Sequence, residues 1–208
     1  MLEVELKSRV RSLSDIRRQV ARLGGVRVGK QIERDVYYRH PGRDFGLTGE
    51  ALRVRSAGQE SFVTYKGPRQ PGIAKTRPEV QVTVGSARLM SNILQKLGFR
   101  VFGRVRKRRE TYTLSGITVC LDQVEGLGSF VELEIIGTDR TAAQRRLLAL
   151  ARKLSLSGFL RESYLSMWLS RQKRARRQGA CRQPGLDAGA ASCDGARRAI
   201  SFSRSANE

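Results

Sequence analysis

The sequence predicts an α+β fold, a closed eight-stranded antiparallel β-barrel with helices packed against its outside. Two observations predict it. Strand after strand alternates charged with aliphatic residues, which gives each one ionic face and one apolar face. Helical periodicity is confined to segments that follow strands, where a helix can roof an apolar exterior. An eight-stranded barrel is just wide enough inside for side chains to fill, so a charged lumen should hold water, metal and ligand.

The first strand reads Glu3-Val4-Glu5-Leu6-Lys7, with Glu3, Glu5, Lys7 and Arg9 on one face and Val4, Leu6 and Val10 on the other. Ser12 then offers an N-cap with Asp15 three residues on, and Leu13, Ile16, Val20 and Leu23 recur at helical spacing until Gly24-Gly25 stops the helix. A strand over about 28–39 puts Asp35, Tyr37 and Arg39 on one face, and a glycine-rich loop from Pro41 to Gly49 follows. About 50–57 and 60–67 make a hairpin turning at Ala57-Gly58-Gln59, carrying Arg53 and Arg55 on one arm and Lys66 on the other.

The loop from Gly67 to Gly72, with two prolines and two glycines, is placed to lie over a tunnel mouth. A strand over about 77–84 tolerates Pro78 only where its missing amide falls at an edge or bulge. The next helix, Ser86 to Leu97, shows a stripe of Met90, Ile93, Leu94 and Leu97, closed by Gly98. A meander of about 99–114, 116–123 and 128–136 completes eight strands, and its alternation sends Lys107 and Arg109 inward and Arg104, Arg106 and Arg108 outward. The last of these, Phe130 to Ile136, repeats the acidic pattern of the first with Glu132 and Glu134. A helix from Thr141 to Leu154 buries Ala143, Leu147, Leu150, Ala151 and Leu154.

The 208 residues suffice for one domain with a real core, here 1–170. Past Trp168 the apolar pattern ends, and 171–208 is expected to be a disordered basic tail, since it cannot bury enough surface to offset its ordering entropy. That tail carries +6 of the net charge of +21, so the body is basic by itself and attracts polyanions. Cys120, Cys181 and Cys193 are too scattered for a disulfide framework or a zinc site. Acids at positions 3 and 5 argue against a signal peptide, and no stretch is long enough to span a bilayer, so the cytoplasm is the expected location. The one histidine, His40, sits in a Pro-Gly turn, which excludes a Ser-His or Cys-His mechanism.

Carboxylates and cations enclosed together call for a polyanion and a divalent cation. Mg²⁺ or Mn²⁺ takes carboxylate oxygens, while Arg and Lys clamp phosphate oxygens. The Glu-x-Glu-x-Lys opening resembles the signature of the CYTH superfamily, the triphosphate tunnel metalloenzymes. The resemblance runs on through Asp35-Val36-Tyr37-Tyr38, Leu52-Arg53-Val54-Arg55, Lys66-Gly67, Arg77-Pro78-Glu79-Val80-Gln81 and Lys107 to Tyr112, and covers about 1–170. The run Val124 to Glu134 is most similar to the class IV adenylyl cyclase branch. Gln81 departs from the family, which more often has an acid there, so it is given no metal role.

On this reading Glu3, Glu5, Glu132, Glu134 and, from the resemblance, Asp122 bind metal, and Lys7, Arg53, Arg55, Lys66, Lys107 and Arg109 bind phosphate. Asp35, Arg77, Glu79 and Tyr112 are candidates to orient ligands, Arg77 and Glu79 by pairing within the lumen. The expected reaction converts ATP to cyclic AMP and pyrophosphate. The alternatives are hydrolysis of tripolyphosphate, thiamine triphosphate or nucleoside triphosphates, and non-catalytic polyanion binding. The resemblance also implies a homodimer, and the tail is expected to contact RNA or anionic surfaces nonspecifically.

Overall fold

The computed structural model describes residues 2–71 and 73–180. The strands β1 (Leu2–Arg9), β2 (Val26–Arg39), β3 (Ala51–Ala57), β4 (Glu60–Lys66), β5 (Lys75–Thr83), β6 (Arg100–Leu114), β7 (Ile117–Val124) and β8 (Gly128–Gly137) close an antiparallel barrel in the order β1-β5-β4-β3-β2-β6-β7-β8. Helices α1 (Leu13–Arg22), α3 (Ala87–Lys96) and α4 (Arg140–Lys153) lie outside; α2 (Phe45–Thr48) is a single turn in the β2–β3 loop. A further helix, α5 (Tyr164–Ala180), follows them.

The helix starts follow from side-chain caps. Ser12 Oγ accepts from the Asp15 amide at 3.2 Å, Ser86 Oγ from Leu89 at 3.3 Å, and an Asp139 carboxylate oxygen from Ala142 at 2.9 Å. The Asp15 side chain turns instead to Arg18. Pro78 faces Leu2, where the β1–β5 ladder ends, so its missing amide interrupts nothing there.

The main core lies outside the barrel. Val4 and Leu6 of β1, Val119 and Leu121 of β7, and Val131 and Leu133 of β8 pack under Ile16 and Val20 of α1 and Ala143, Leu147, Leu150 and Ala151 of α4. Each such aliphatic contributes about 1.5–3 kcal/mol by leaving water, and this apolar jacket frees the lumen to be ionic. Beneath α3, Leu94 and Met90 meet Val54 and Tyr38, whereas Ile93 and Leu97 are exposed, so half of the expected stripe faces solvent.

Helix α5 continues through Ala180, beyond the boundary expected at 171; its first turns carry Tyr164, Leu165 and Met167, which pack on Phe130 and Val124 at one end of the barrel. The rest of the expected tail, 181–208, with Cys181 and Cys193, lies outside the described residues.

Candidate active site

Strand alternation aims eight carboxylates and eight cations from the strands of the described residues into the lumen. The acids are Glu3, Glu5, Glu33, Asp35, Glu79, Asp122, Glu132 and Glu134; the bases are Lys7, Arg53, Arg55, Lys66, Lys75, Arg77, Lys107 and Arg109. Barrel order explains why so many buried charges coexist. The acidic strand β2 lies between basic β3 and β6, and acidic β1 is joined through mixed β5 to basic β4. Cross-strand neighbours therefore have opposite sign, which offsets the desolvation that buried charges suffer.

The pairs are direct. Arg55 makes a bidentate contact with Asp35 at 2.6 and 2.8 Å and reaches Glu33 at 2.8 Å. Arg109 holds Asp122 by two hydrogen bonds, one at 2.7 Å, and also contacts Glu132. Lys107 pairs with Glu33 at 3.0 Å, Lys66 with Glu3 and Glu79, Lys75 with Glu5 at 2.6 Å, and Lys7 with Glu132 at 2.9 Å. Burial alone would raise the carboxyl of Glu3, yet the charges of Lys66 and Arg77 bring it well below the usual range. Glu33, buried but facing Lys107, Arg109 and Arg55, is lowered to about 2.

One group behaves differently. Burial, only partly opposed by Arg109 and reinforced by Glu132, Glu3 and Glu5, pushes Glu134 up to about 8. One oxygen each of Glu3, Glu5 and Glu134 lies within 4.8 Å of the others. Three crowded carboxylates, one of which resists ionisation, make an all-oxygen donor set that fits a hard divalent cation such as Mg²⁺ or Mn²⁺.

The remaining expected metal residues lie elsewhere. Glu132 is engaged by Lys7 and Arg109, and Asp122 is fully buried beneath Arg109 and the Tyr164 hydroxyl, which donates to it at 2.8 Å. The structure thus gives Asp122 an anchoring position, apart from the carboxylate trio. All six expected phosphate cations line one cavity of about 900 Å³. Arg77 and Glu79 line it too, but they pair with Glu3 and Lys66 rather than with each other.

Tyr112 corrects its expected place. As an even-numbered residue of β6 it points out, packs in the jacket core and donates to Glu110 at 3.2 Å, while Glu110 also holds Arg17 of α1.

Three interior residues went unnamed in the sequence. Glu33 lies two residues before Asp35, and Lys75 two before Arg77, so period-two spacing alone would have found both. Tyr164 carries no such signal: it comes from α5, beyond the strands, and its ring sits 4.1 Å from the Lys7 ammonium. Lys75 is lowered to about 8, because burial outweighs the attraction of Glu5 and is joined by repulsion from Lys7.

A closed barrel with paired ions inside, carboxylates converging at one point and basic groups around them defines a metal-dependent triphosphate tunnel. The chain belongs to the CYTH domain family, whose sequence model matches residues 1–164. It is 37% identical over 172 residues to a candidate adenylate cyclase of Methanocaldococcus jannaschii, covering 80% of this chain and 98% of that one. To the adenylate cyclase CyaB of Aeromonas hydrophila it is 29% identical, over 74% of this chain and 81% of that one. Among solved structures, the PH1819 protein of Pyrococcus horikoshii superposes with a TM-score of 0.72 at 37% identity, over 81% of this chain and 99% of that one.

Proposed function

We propose that this chain is a metal-dependent triphosphate-processing enzyme of the class IV adenylyl cyclase type, converting ATP to cyclic AMP and pyrophosphate. The observation that carries the reading is the convergence of Glu3, Glu5 and Glu134 in a tunnel whose walls also present Arg53, Arg55, Lys66, Lys107 and Arg109. The names of the Methanocaldococcus and Aeromonas relatives support cyclisation over hydrolysis.

A magnesium or manganese ion held by the three carboxylates would polarise phosphate oxygens and offset their charge. The side chains supply the rest. Lys66, released from Glu3, and Arg53, whose Nε lacks a hydrogen-bond partner, turn to the phosphate chain. Arg55 and Arg109 stay braced by Asp35 and Asp122 and fix the oxygens of the chain in line. The ribose 3′-hydroxyl attacks the α-phosphorus, the bond to the bridging oxygen breaks, and pyrophosphate leaves. Lys75 Nζ, held near 8, is suited to take up the hydroxyl proton.

Incubating the full chain with ATP and Mg²⁺ or Mn²⁺ tests this. Cyclic AMP and pyrophosphate in equal amounts are expected. Orthophosphate in their place would overturn cyclisation and make the same site a triphosphatase, with water attacking the terminal phosphorus.

A further inference from the structure

The tunnel changes chemistry at one end. Along β2, Asp35 still belongs to the ionic lumen through Arg55, but a break in the β2–β6 register at Tyr37/Tyr38 interrupts the alternation. Beyond it Tyr38, Arg39 and His40 all line the cavity, the β2–β3 loop returns Phe45, and β6 adds Phe102. The stretch is aromatic rather than ionic.

We propose that this mouth is a nucleobase subsite, so that the substrate is a nucleoside triphosphate and not a bare polyphosphate; the inference rests on the triphosphate reading of the tunnel. Phe45 and Phe102 supply faces for a flat ring. The Arg39 guanidinium lies 4.0 Å over Phe102, a charged plane on which bases also stack. Two groups offer hydrogen bonds to the base edge. His40 Nδ1 accepts the Gly42 amide at 2.9 Å, which leaves the proton of the neutral ring on Nε2 as a donor. The Tyr38 hydroxyl is buried, with the residue 2% exposed, and has no hydrogen-bond partner, a state that is costly until water or ligand meets it.

Size points the same way. A cavity of about 900 Å³ falls in the range that holds a whole drug-sized organic ligand. Inorganic tripolyphosphate would leave the aromatic end unused, and an aromatic rim gives a polyanion nothing that arginine would not give better.

The test compares kcat/KM for ATP and for inorganic tripolyphosphate, with Mn²⁺, in the wild-type chain and in Phe45→Ala, Phe45→Leu and Tyr38→Phe. Base stacking lost at one aromatic lowers use of the nucleotide roughly five- to hundredfold, so the ATP-to-tripolyphosphate ratio should drop by at least fivefold in both Phe45 variants and drop measurably in Tyr38→Phe. Phe45→Leu keeps apolar packing, so a loss shared with it is not a folding defect. A ratio unchanged in all three variants would overturn the subsite, as would a wild-type chain that prefers tripolyphosphate. If the wild type turns over neither compound, the catalytic reading fails by itself. The subsite is then judged by calorimetric binding of ATP against tripolyphosphate with Ca²⁺, where Phe45→Ala must weaken ATP selectively or the inference falls.

Discussion

Lys66 on β4 donates to both carboxylate oxygens of Glu3 on β1, at 2.7 and 2.9 Å, although β5 lies between their strands. The ammonium occupies the flank of Glu3 that a divalent ion would use, and it can leave because Glu79, 2.6 Å away, offers it a second carboxylate. Glu3→Gln should therefore cost little stability but most of the activity. The expected loss is about 10²–10³ in metal-dependent turnover, the size seen when one well-placed charge-stabilising group is removed. Thermal melts of the metal-free variant should stay within a few degrees of wild type; equal turnover in the two proteins would remove Glu3 from the site.

Glu134 sets a pH dependence. Its carboxyl is held at about 8 by burial, with Arg109 opposing and Glu132, Glu3 and Glu5 reinforcing, whereas in the unfolded chain it ionises near 4.5. Between those values the folded protein binds the extra proton, so this contribution to stability is full below 4.5 and is lost as pH rises through about 8. The metal-free chain should melt at progressively lower temperature across that window, and Glu134→Gln should flatten the trend. A divalent ion must displace the same proton, so Mn²⁺ binding at neutral pH should release about one proton, measurable by calorimetry in buffers of different ionisation enthalpy.

Two tyrosine hydroxyls separate wall from jacket. Tyr112 donates to Glu110 outside the barrel, and Tyr164 donates to Asp122 inside it. Each Phe variant loses one hydrogen bond, about 1 kcal/mol of stability. Tyr112→Phe should leave turnover within about twofold of wild type, as a remote surface-side bond allows. Tyr164→Phe should slow turnover further, because Asp122 and the Arg109 it braces then lose a fixed contact. Matching kinetics for the two variants would contradict the placement of Tyr164.

The eight strands and the sign of each inner face were legible because alternation is a local property: Glu3 and Glu5, or Arg53 and Arg55, declare a shared face by position alone. Alternation also warned against Tyr112, which has the wrong parity to follow Arg109 inward, and the family motif overrode that warning. What could not be read is which acid meets which base. Arg109 reaches Asp122 on the next strand and Glu132 one strand beyond, and that choice depends on barrel order and register. The Tyr164 contact with Asp122 depends on where α5 docks, which no period in the strands encodes. The exposure of Ile93 and Leu97 has the same origin, since a helical stripe states which residues share a face but not how much of that face the barrel covers.

Arg109 gives the sharpest energetic test of the paired lumen. Its guanidinium is buried and divided between Asp122 and Glu132, with Glu33 at 4.0 Å. Removing one partner of a buried ion pair strands the other charge, so Arg109→Met should destabilise the chain by about 3–5 kcal/mol. Pairing it with Asp122→Leu removes one stranded carboxylate and should recover part of that loss, while Glu132 retains Lys7 as its cation. Both variants should be inactive, which separates folding from catalysis. Denaturant titrations of the single and double variants decide the matter: full stability in Arg109→Met, or no recovery in the double variant, would mean that the lumen does not owe its stability to compensation between opposite charges.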